Sequence, residues 1–430
     1  MMSENTAAEA PMTPPATQPT QDFFHQPYRY MIIAIYGIVN LAAIICTYMF
    51  MGMATSIMEQ FQIDPSQFSF MCTIGFLVGF ILCLPVGSLC DKFGARAVMI
   101  VCFVIVVVGA AWRAFDPNTT PTLLTITQVM FGFAFTGVNA CVIKSLGAWF
   151  EPKQLNFMVA IYIAVATAGA AVGLASGSIF GDDLKTALYF QFGVELACLV
   201  LIVLFLRNKP AGAPEPPKDS FFKYIGNTLK FKGAWISALC YMFLYAGTTA
   251  CNTFIVAGMQ DRGMDIGMAA LVGILINVTA LIGEFVFPAF VSKHTEKNYS
   301  RLTLIFLSAA TAVCILIAWL VPMPAIATAI LMFIAYIFIG GALAQTKALP
   351  AQIPGLPPDH FGTAGGFQAM LQNLGAFIGP TYFVALIAGS NFTMIFVLSA
   401  VLFAVYFIFC LMIPKNMGLI AQSEQIEQSE

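Results

Sequence analysis

The sequence predicts an all-α membrane protein, twelve transmembrane helices in two six-helix, pseudo-symmetric bundles. Three observations predict it: composition, recurring apolar runs, and one long internal loop that divides those runs six and six. The 430 residues are 59% hydrophobic and 9% charged, with a mean hydropathy of +0.85. Soluble domains are about one-quarter charged. A run of about 20 apolar residues, rising about 1.5 Å per residue, crosses a hydrocarbon core of about 30 Å.

Taken in order, the runs lie at 30–54, 68–90, 97–115, 121–149, 156–180, 187–206, 234–258, 266–291, 301–321, 326–349, 363–388 and 392–413. Residues 1–28, "MMSENTAAEAPMTPPATQPTQDFFHQPY", are rich in Pro, Thr and Gln and lack a basic n-region and a cleavage site. They are expected to be a disordered cytosolic tail rather than a signal peptide, leaving the first helix to direct insertion. Residues 29–206 form the N-terminal bundle, 207–233 a Pro-rich then basic cytosolic linker, 234–413 the C-terminal bundle, and 414–430 a cytosolic tail.

Basic residues orient the chain. With the N-terminus inside, fourteen of nineteen Lys and Arg fall on that side, among them Lys92, Arg96, Lys153, Lys223, Lys230 and Lys293, while Arg113, Lys185 and Arg262 fall outside. The excess predicts a multi-pass protein of the plasma or inner membrane with both termini cytosolic. The eleven cysteines carry no CxxC or Cys/His spacing and are read as small buried hydrophobes, so no metal site or cofactor is expected.

The halves echo each other. "GAAVG" at 169–173 answers "GAFIG" at 375–379, and "TYMFMGM" at 47–53 answers "TFIVAGM" at 253–259, both at an offset of 206. Gly137 stands seven residues before Lys144, as Gly340 does before Lys347, at an offset of 203. Gly169, Gly173, Gly177 and Gly181 make a ladder on one helical face, predicting close approach of a neighbouring helix, either fixed or sliding.

Between the second and third spans runs "GSLCDKFGARAVM". Gly87, Leu89, Asp91, Lys92, Gly94 and Arg96 match G-x-L-x-D-[RK]-x-G-x-[RK], and the chain from about 28 to 414 thereby resembles the major facilitator superfamily. The resemblance implies alternating access around a central site, with spans 1, 4, 7 and 10 lining the cavity. It makes Gly87, Asp91, Lys92, Gly94 and Arg96 gating residues that stabilise the outward-open state. Physically, Gly94 permits a tight turn, Asp91 can pair with basic groups, and Lys92 and Arg96 stay at the cytosolic face. The corresponding loop of the second half, "AFVSKHTEKNYSR", lacks the pattern and has Lys293 near the place of Asp91.

Charges inside spans carry the chemistry. Lys144 and Lys347 lie on spans four and ten, short of the helix ends. Each either snorkels to the interface or faces a watery vestibule, where two ammoniums about a two-fold axis would bind a small anion. Glu284 in span eight lies about 13 Å from the cytosolic end at about 1.5 Å per residue, and Glu195 lies in span six. Each is a proton-coupling candidate or a structural ion pair. Asn40 and Tyr48 on span one, Asn139 on span four, Tyr241, Tyr245 and Asn252 on span seven, Gln345 on span ten and Gln372 on span eleven complete the candidate substrate cavity.

"GAWFEPKQ", through Trp149, Phe150, Pro152 and Lys153, resembles the small-anion branches, the oxalate/formate antiporters and nitrate or cyanate carriers. In the oxalate/formate group a span-eight Arg and a span-eleven Lys hold the dianion; here Glu284 or Phe285, and Gln372, take those places. The function expected is secondary transport of a small organic anion, a carboxylate above all, by exchange or proton symport. Its partners are that anion, the lipid bilayer and protons, with no nucleic acid, and the chain works as a monomer. Proton-driven efflux of a neutral or cationic compound is the alternative, and a non-transporting sensor or scaffold a third. No nucleotide loop, metal cluster or nucleophilic triad suggests an enzyme.

Overall fold

In the computed structural model, residues 26–150, 152–210, 221–292, 299–357 and 360–415 are described. Most of the N-terminal tail, linker positions 211–220, most of the C-terminal tail, and the side chains of Asp91 and Lys144 lie outside the described residues. Among the described residues, twelve helices are long and apolar enough to cross a membrane. The N-terminal half runs α1 (Tyr28–Gly52), short α2 (Ala54–Phe61), α3 (Pro65–Phe93), α4 (Ala95–Phe115), α5 (Pro121–Trp149), α6 (Pro152–Leu174), short α7 (Ser176–Phe180) and α8 (Leu184–Phe205). After linker helix α9 (Phe221–Thr228) come α10 (Lys232–Asp261), α11 (Ile266–Ser292), α12 (Tyr299–Leu320), α13 (Ala325–Ala348), α14 (Phe361–Ile378), a π-helical turn (Gly379–Ala385), α15 (Leu386–Ala388) and α16 (Phe392–Met412).

The face that carries Tyr28 and Met412 is called the terminal face below. At the opposite face the chain re-enters the membrane through side-chain caps. Asp64, Thr120, Asp183, Asp265 and Asn391 each accept backbone N–H groups of the helix that follows. Around Asp64 the cap is reciprocal: its carboxylate accepts from the Ser66 and Gln67 amides, and its own amide donates to Gln67 Oε1. The Ser66 hydroxyl, donating at 2.6 Å, leads in holding the Asp64 carboxyl below the usual carboxylate range. Asp64→Ala is expected to lower stability by about 1 kcal/mol at neutral pH. A depressed pKa stabilises above the unfolded value and stops doing so as pH falls through the folded one. The gap between wild type and variant, read by thermal unfolding in detergent, therefore closes in acid.

Within each half, the second and fourth spans cross on glycine. Gly75 and Gly132 meet between α3 and α5, and Gly283 and Gly340 lie in the crossing of α11 and α13, both members offset by 208. Pro85 inside α3 and Pro288 inside α11 stand 203 apart, the offset that separates Lys144 from Lys347. The predicted glycine ladder packs α6 and α7 onto α1: a Cβ on Gly169 would meet Ile44, one on Gly173 would meet Tyr48 and one on Gly177 would meet Gly52. Gly181 departs from the ladder, since it takes φ +57 after α7, beyond the helix. Span five itself breaks at Ala175, where the Ser176 hydroxyl donates to the Met49 carbonyl of α1.

The cores show how the halves meet. One apolar cluster stays within the first half, from Ile32 through Phe103 and Trp149 to Leu206. A larger one joins both halves near the opposite face, through Met51, Phe68, Phe254 and Val256. Hydroxyls seal that face: Ser69 and Thr73 lie 3.1 and 3.0 Å from Thr381 on the π-helical turn, and Thr55 donates to Gln260 at 2.5 Å.

Candidate functional site

Polar side chains from both halves converge beneath that seal. On α10, Tyr241 and Tyr245, one helical turn apart, pack edge to face with centroids 4.9 Å apart. Lys347 of α13 sets its ammonium 5.1 Å from the Tyr241 ring centroid, close enough for cation–π attraction. Both phenols lie within electrostatic range of the Glu284 carboxyl of α11. Glu284 is 9% exposed, and its Oε1 accepts from Thr167 Oγ1 of α6 at 2.8 Å. Tyr48 of α1 lies beside Asn252 of α10, whose Oδ1 accepts from Tyr336 at 3.0 Å and from Asn277 Nδ2 at 3.3 Å. Tyr48 and Tyr162 both lie within range of Tyr245.

Of the residues the sequence nominates, Tyr48, Tyr241, Tyr245, Asn252, Glu284 and Lys347 are therefore brought together. Asn139 and Asn40 join through Tyr162, which donates its hydroxyl to Asn139 Oδ1 at 3.4 Å and offers its carbonyl to Asn40 Nδ2 at 3.3 Å. Gln345 does not join Lys347. Two residues apart on a helix means about 200° of rotation, and the buried Gln345 amide finds no partner among the described residues. Gln372 is buried on α14 without a contact to this cluster among those described.

Glu195 stays within the first half. It lies on α8 at 0% exposure, beside the Cys46 thiol and in electrostatic range of Arg113. Arg113, counted with the side opposite the termini, lies in the last turn of α4 at that face. It is fully buried in α4, its guanidinium 3.7 Å from the Phe131 ring centroid and donating to Gln128 at 3.3 Å. Two residues from the helix end, its long stem turns back into the bundle.

The signature loop is confined to the first half in its described contacts. Gly94 takes φ +83 between α3 and α4, where only glycine is at ease. Arg96 donates through Nη2 to the Val203 carbonyl at 2.6 Å, and its amide donates to Asn208 Oδ1 at 2.8 Å. Lys92 is exposed, over the Phe93 ring, and Gly87 lies one turn before Asp91 on α3.

Sequence reasoning passes over Tyr162, Thr167, Asn277 and Tyr336. Tyr336 had a signal: eleven residues before Lys347 is three turns, within about 20° of the same helical face. Thr167 had none, because a hydroxyl in a membrane helix is ordinarily satisfied by its own backbone.

Comparison with known proteins bears on this arrangement. A curated relative, protein spinster homolog 3 of Danio rerio, is 24% identical over 213 residues, 49% of this chain and 42% of that protein, so the match spans under half of the relative's length. Among solved structures, a bacterial homolog of the human lysosomal transporter Spinster, inward-facing and unoccupied, superposes with a TM-score of 0.68 at 14% identity, covering 92% of this chain and 97% of that one. The nucleoside transporter NupG, as a point mutant, superposes with a TM-score of 0.70 at 14% identity, covering 89% and 99%. These likenesses are of fold. The profile of the Major Facilitator Superfamily matches residues 36–380, four-fifths of the sequence, and the chain belongs to that family.

Proposed function

We propose that the protein is a secondary active transporter that moves a small organic anion, a carboxylate above all, by alternating access, in exchange or in symport with protons. The observation that carries this reading is the Lys347 ammonium over Tyr241, with Tyr245 beside it and Glu284 in range of both phenols. An ammonium and two phenol hydroxyls suit a carboxylate group, and the ring faces suit the apolar body that carries it. Lys144 would supply a second positive charge from the first half. Glu284 is the coupling group, and Glu195 a second candidate for that role. The basic terminal face is cytosolic on this reading. Asp91, with Lys92 and Arg96, would latch the halves when the outer face opens.

The tyrosine pair favours a second reading. Two aromatic faces with Asn252 nearby also suit a neutral planar solute such as a nucleoside.

Uptake and counterflow in proteoliposomes distinguish the two, using mono- and dicarboxylates, inorganic oxyanions, nucleosides and organic cations. Lys347→Ala is expected to reduce carboxylate uptake by roughly tenfold or more, since a hydrogen bond to a charged group contributes about 1.5 to 3 kcal/mol. Lys144→Ala is expected to act in the same direction. Normal carboxylate transport by both variants would exclude the anion reading, and nucleoside uptake by both would install the second.

A further inference from the structure

The Glu284–Thr167 hydrogen bond joins the two halves at the centre of the site. The remaining inter-half bonds described above are between neutral groups at the opposite face, so here alone among them a carboxyl is engaged. The threonine hydroxyl also has a second acceptor within its own helix, the Ile163 carbonyl at 3.5 Å.

From this geometry we infer that Thr167 is a positioning residue that converts the protonation state of Glu284 into the strength of an inter-half clasp. The inference rests on the reading of Glu284 as the coupling group. With the carboxyl ionised, the Thr167 hydroxyl donates to Oε1, and a hydrogen bond to an ionised acceptor is roughly twice as strong as a neutral one. With the carboxyl protonated, its O–H donates to Thr167 Oγ1, and the threonine hydrogen returns to the Ile163 carbonyl. Both states leave every hydrogen bonded, so neither incurs the penalty of a buried orphan donor. Only the ionised state grips firmly. One proton moves, from water to the carboxylate, and no other group changes its covalent state.

The groups facing Glu284 fit this role. From α6 comes Thr167, in contact, and from α10 Tyr241 and Tyr245, in electrostatic range; the Lys347 ammonium of α13 is held over the Tyr241 ring instead of pairing with the carboxyl. α7 brings only Ser, Gly, Ile and Phe, and Arg301 of α12 donates to the Leu411 carbonyl near the terminal face. Thr167, Tyr241 and Tyr245 are neutral, so the charge that changes at the α6–α11 contact is that of Glu284.

Because α6 and α11 belong to different halves, a weaker clasp lets them separate. Acid therefore promotes opening of the hydroxyl seal at the opposite face. Hydrogen–deuterium exchange of the full-length protein in lipid nanodiscs reads this without a substrate. Peptides over 54–61 and 379–385 report the seal, after correction for the intrinsic pH dependence of exchange.

In wild type the open population is expected to rise about tenfold as Glu284 protonates, the factor carried by about 1.4 kcal/mol. Thr167→Val keeps the side-chain shape and should abolish that dependence, and Thr167→Ser should restore it. A wild type without pH dependence, or a Thr167→Val chain with the wild-type dependence, overturns the clasp. Glu284→Gln separates the two ideas. If it alone loses the dependence while Thr167→Val keeps it, the clasp fails and the coupling reading survives. If Glu284→Gln also keeps it, the coupling reading fails as well.

Discussion

Glu284→Gln is expected to abolish accumulation of a carboxylate against its gradient while leaving counterflow at equal pH nearly intact. The amide oxygen still accepts from Thr167 at the position where Oε1 accepts now, so the contact between α6 and α11 survives. What is lost is the proton. Symport of one proton per anion raises accumulation about tenfold for each pH unit across the membrane, because a proton at a difference of one unit carries about 1.36 kcal/mol. Proteoliposomes loaded at a pH one unit above the bath should therefore concentrate labelled substrate about tenfold with wild type and not at all with the variant. Counterflow needs only reorientation of the loaded carrier, and a size-exclusion profile like that of wild type serves as the control for folding. A variant that still concentrates substrate under the pH gradient would remove Glu284 from the coupling role. A variant that also fails in counterflow would place Glu284 in substrate binding instead.

The second large effect is structural. Gly340→Leu and Gly283→Leu are each expected to prevent recovery of monodisperse protein. A Cβ on Gly340 would run into the Ala280 carbonyl, and one on Gly283 into the Ile337 carbonyl. Both obstacles are helix backbone, which cannot swing aside as a side chain can. Overpacking a well-filled core costs about 1 to 3 kcal/mol where neighbours can relax, and more where they cannot. Gly37→Leu provides the comparison: nothing stands within 4 Å of its Cβ position, so size-exclusion profiles and thermal midpoints near wild type are expected. A well-behaved Gly340→Leu protein would mean that α11 and α13 do not cross as described.

The twelve spans were legible because hydropathy over about 20 residues is a property of composition, and no particular contact is needed to produce it. The interruptions were not. Ala175 ends α6 because Ser176 turns to the Met49 carbonyl, and the π-helical turn at Gly379 lies against Ala246 of α10. Both depend on what approaches from the neighbouring helix, which one sequence does not record. The same distinction holds at the site. Glu284 stands out because a carboxyl at mid-depth is costly wherever it faces. Its partner Thr167 is invisible, since threonine is unremarkable in such a helix. Gln345 was named for being polar on span ten, but which way a polar side chain turns on that span is set by helical rotation, about 200° away from Lys347. The side on which Arg113 falls was legible, but only packing tells that its stem points inward to full burial.

The seal at the opposite face has an electrical consequence. Ser69, Thr73, Thr381, Thr55 and Gln260 are all neutral, so the bonds that close it carry no net charge. Moving one elementary charge through the transmembrane field changes its energy by about 2.3 kcal/mol per 100 mV. Parting these side chains moves none. On the proposed reading the membrane voltage bears on the transport cycle through Glu284, Lys347 and whatever charge the solute brings, and it reaches the seal only by way of them, not through the seal's own side chains.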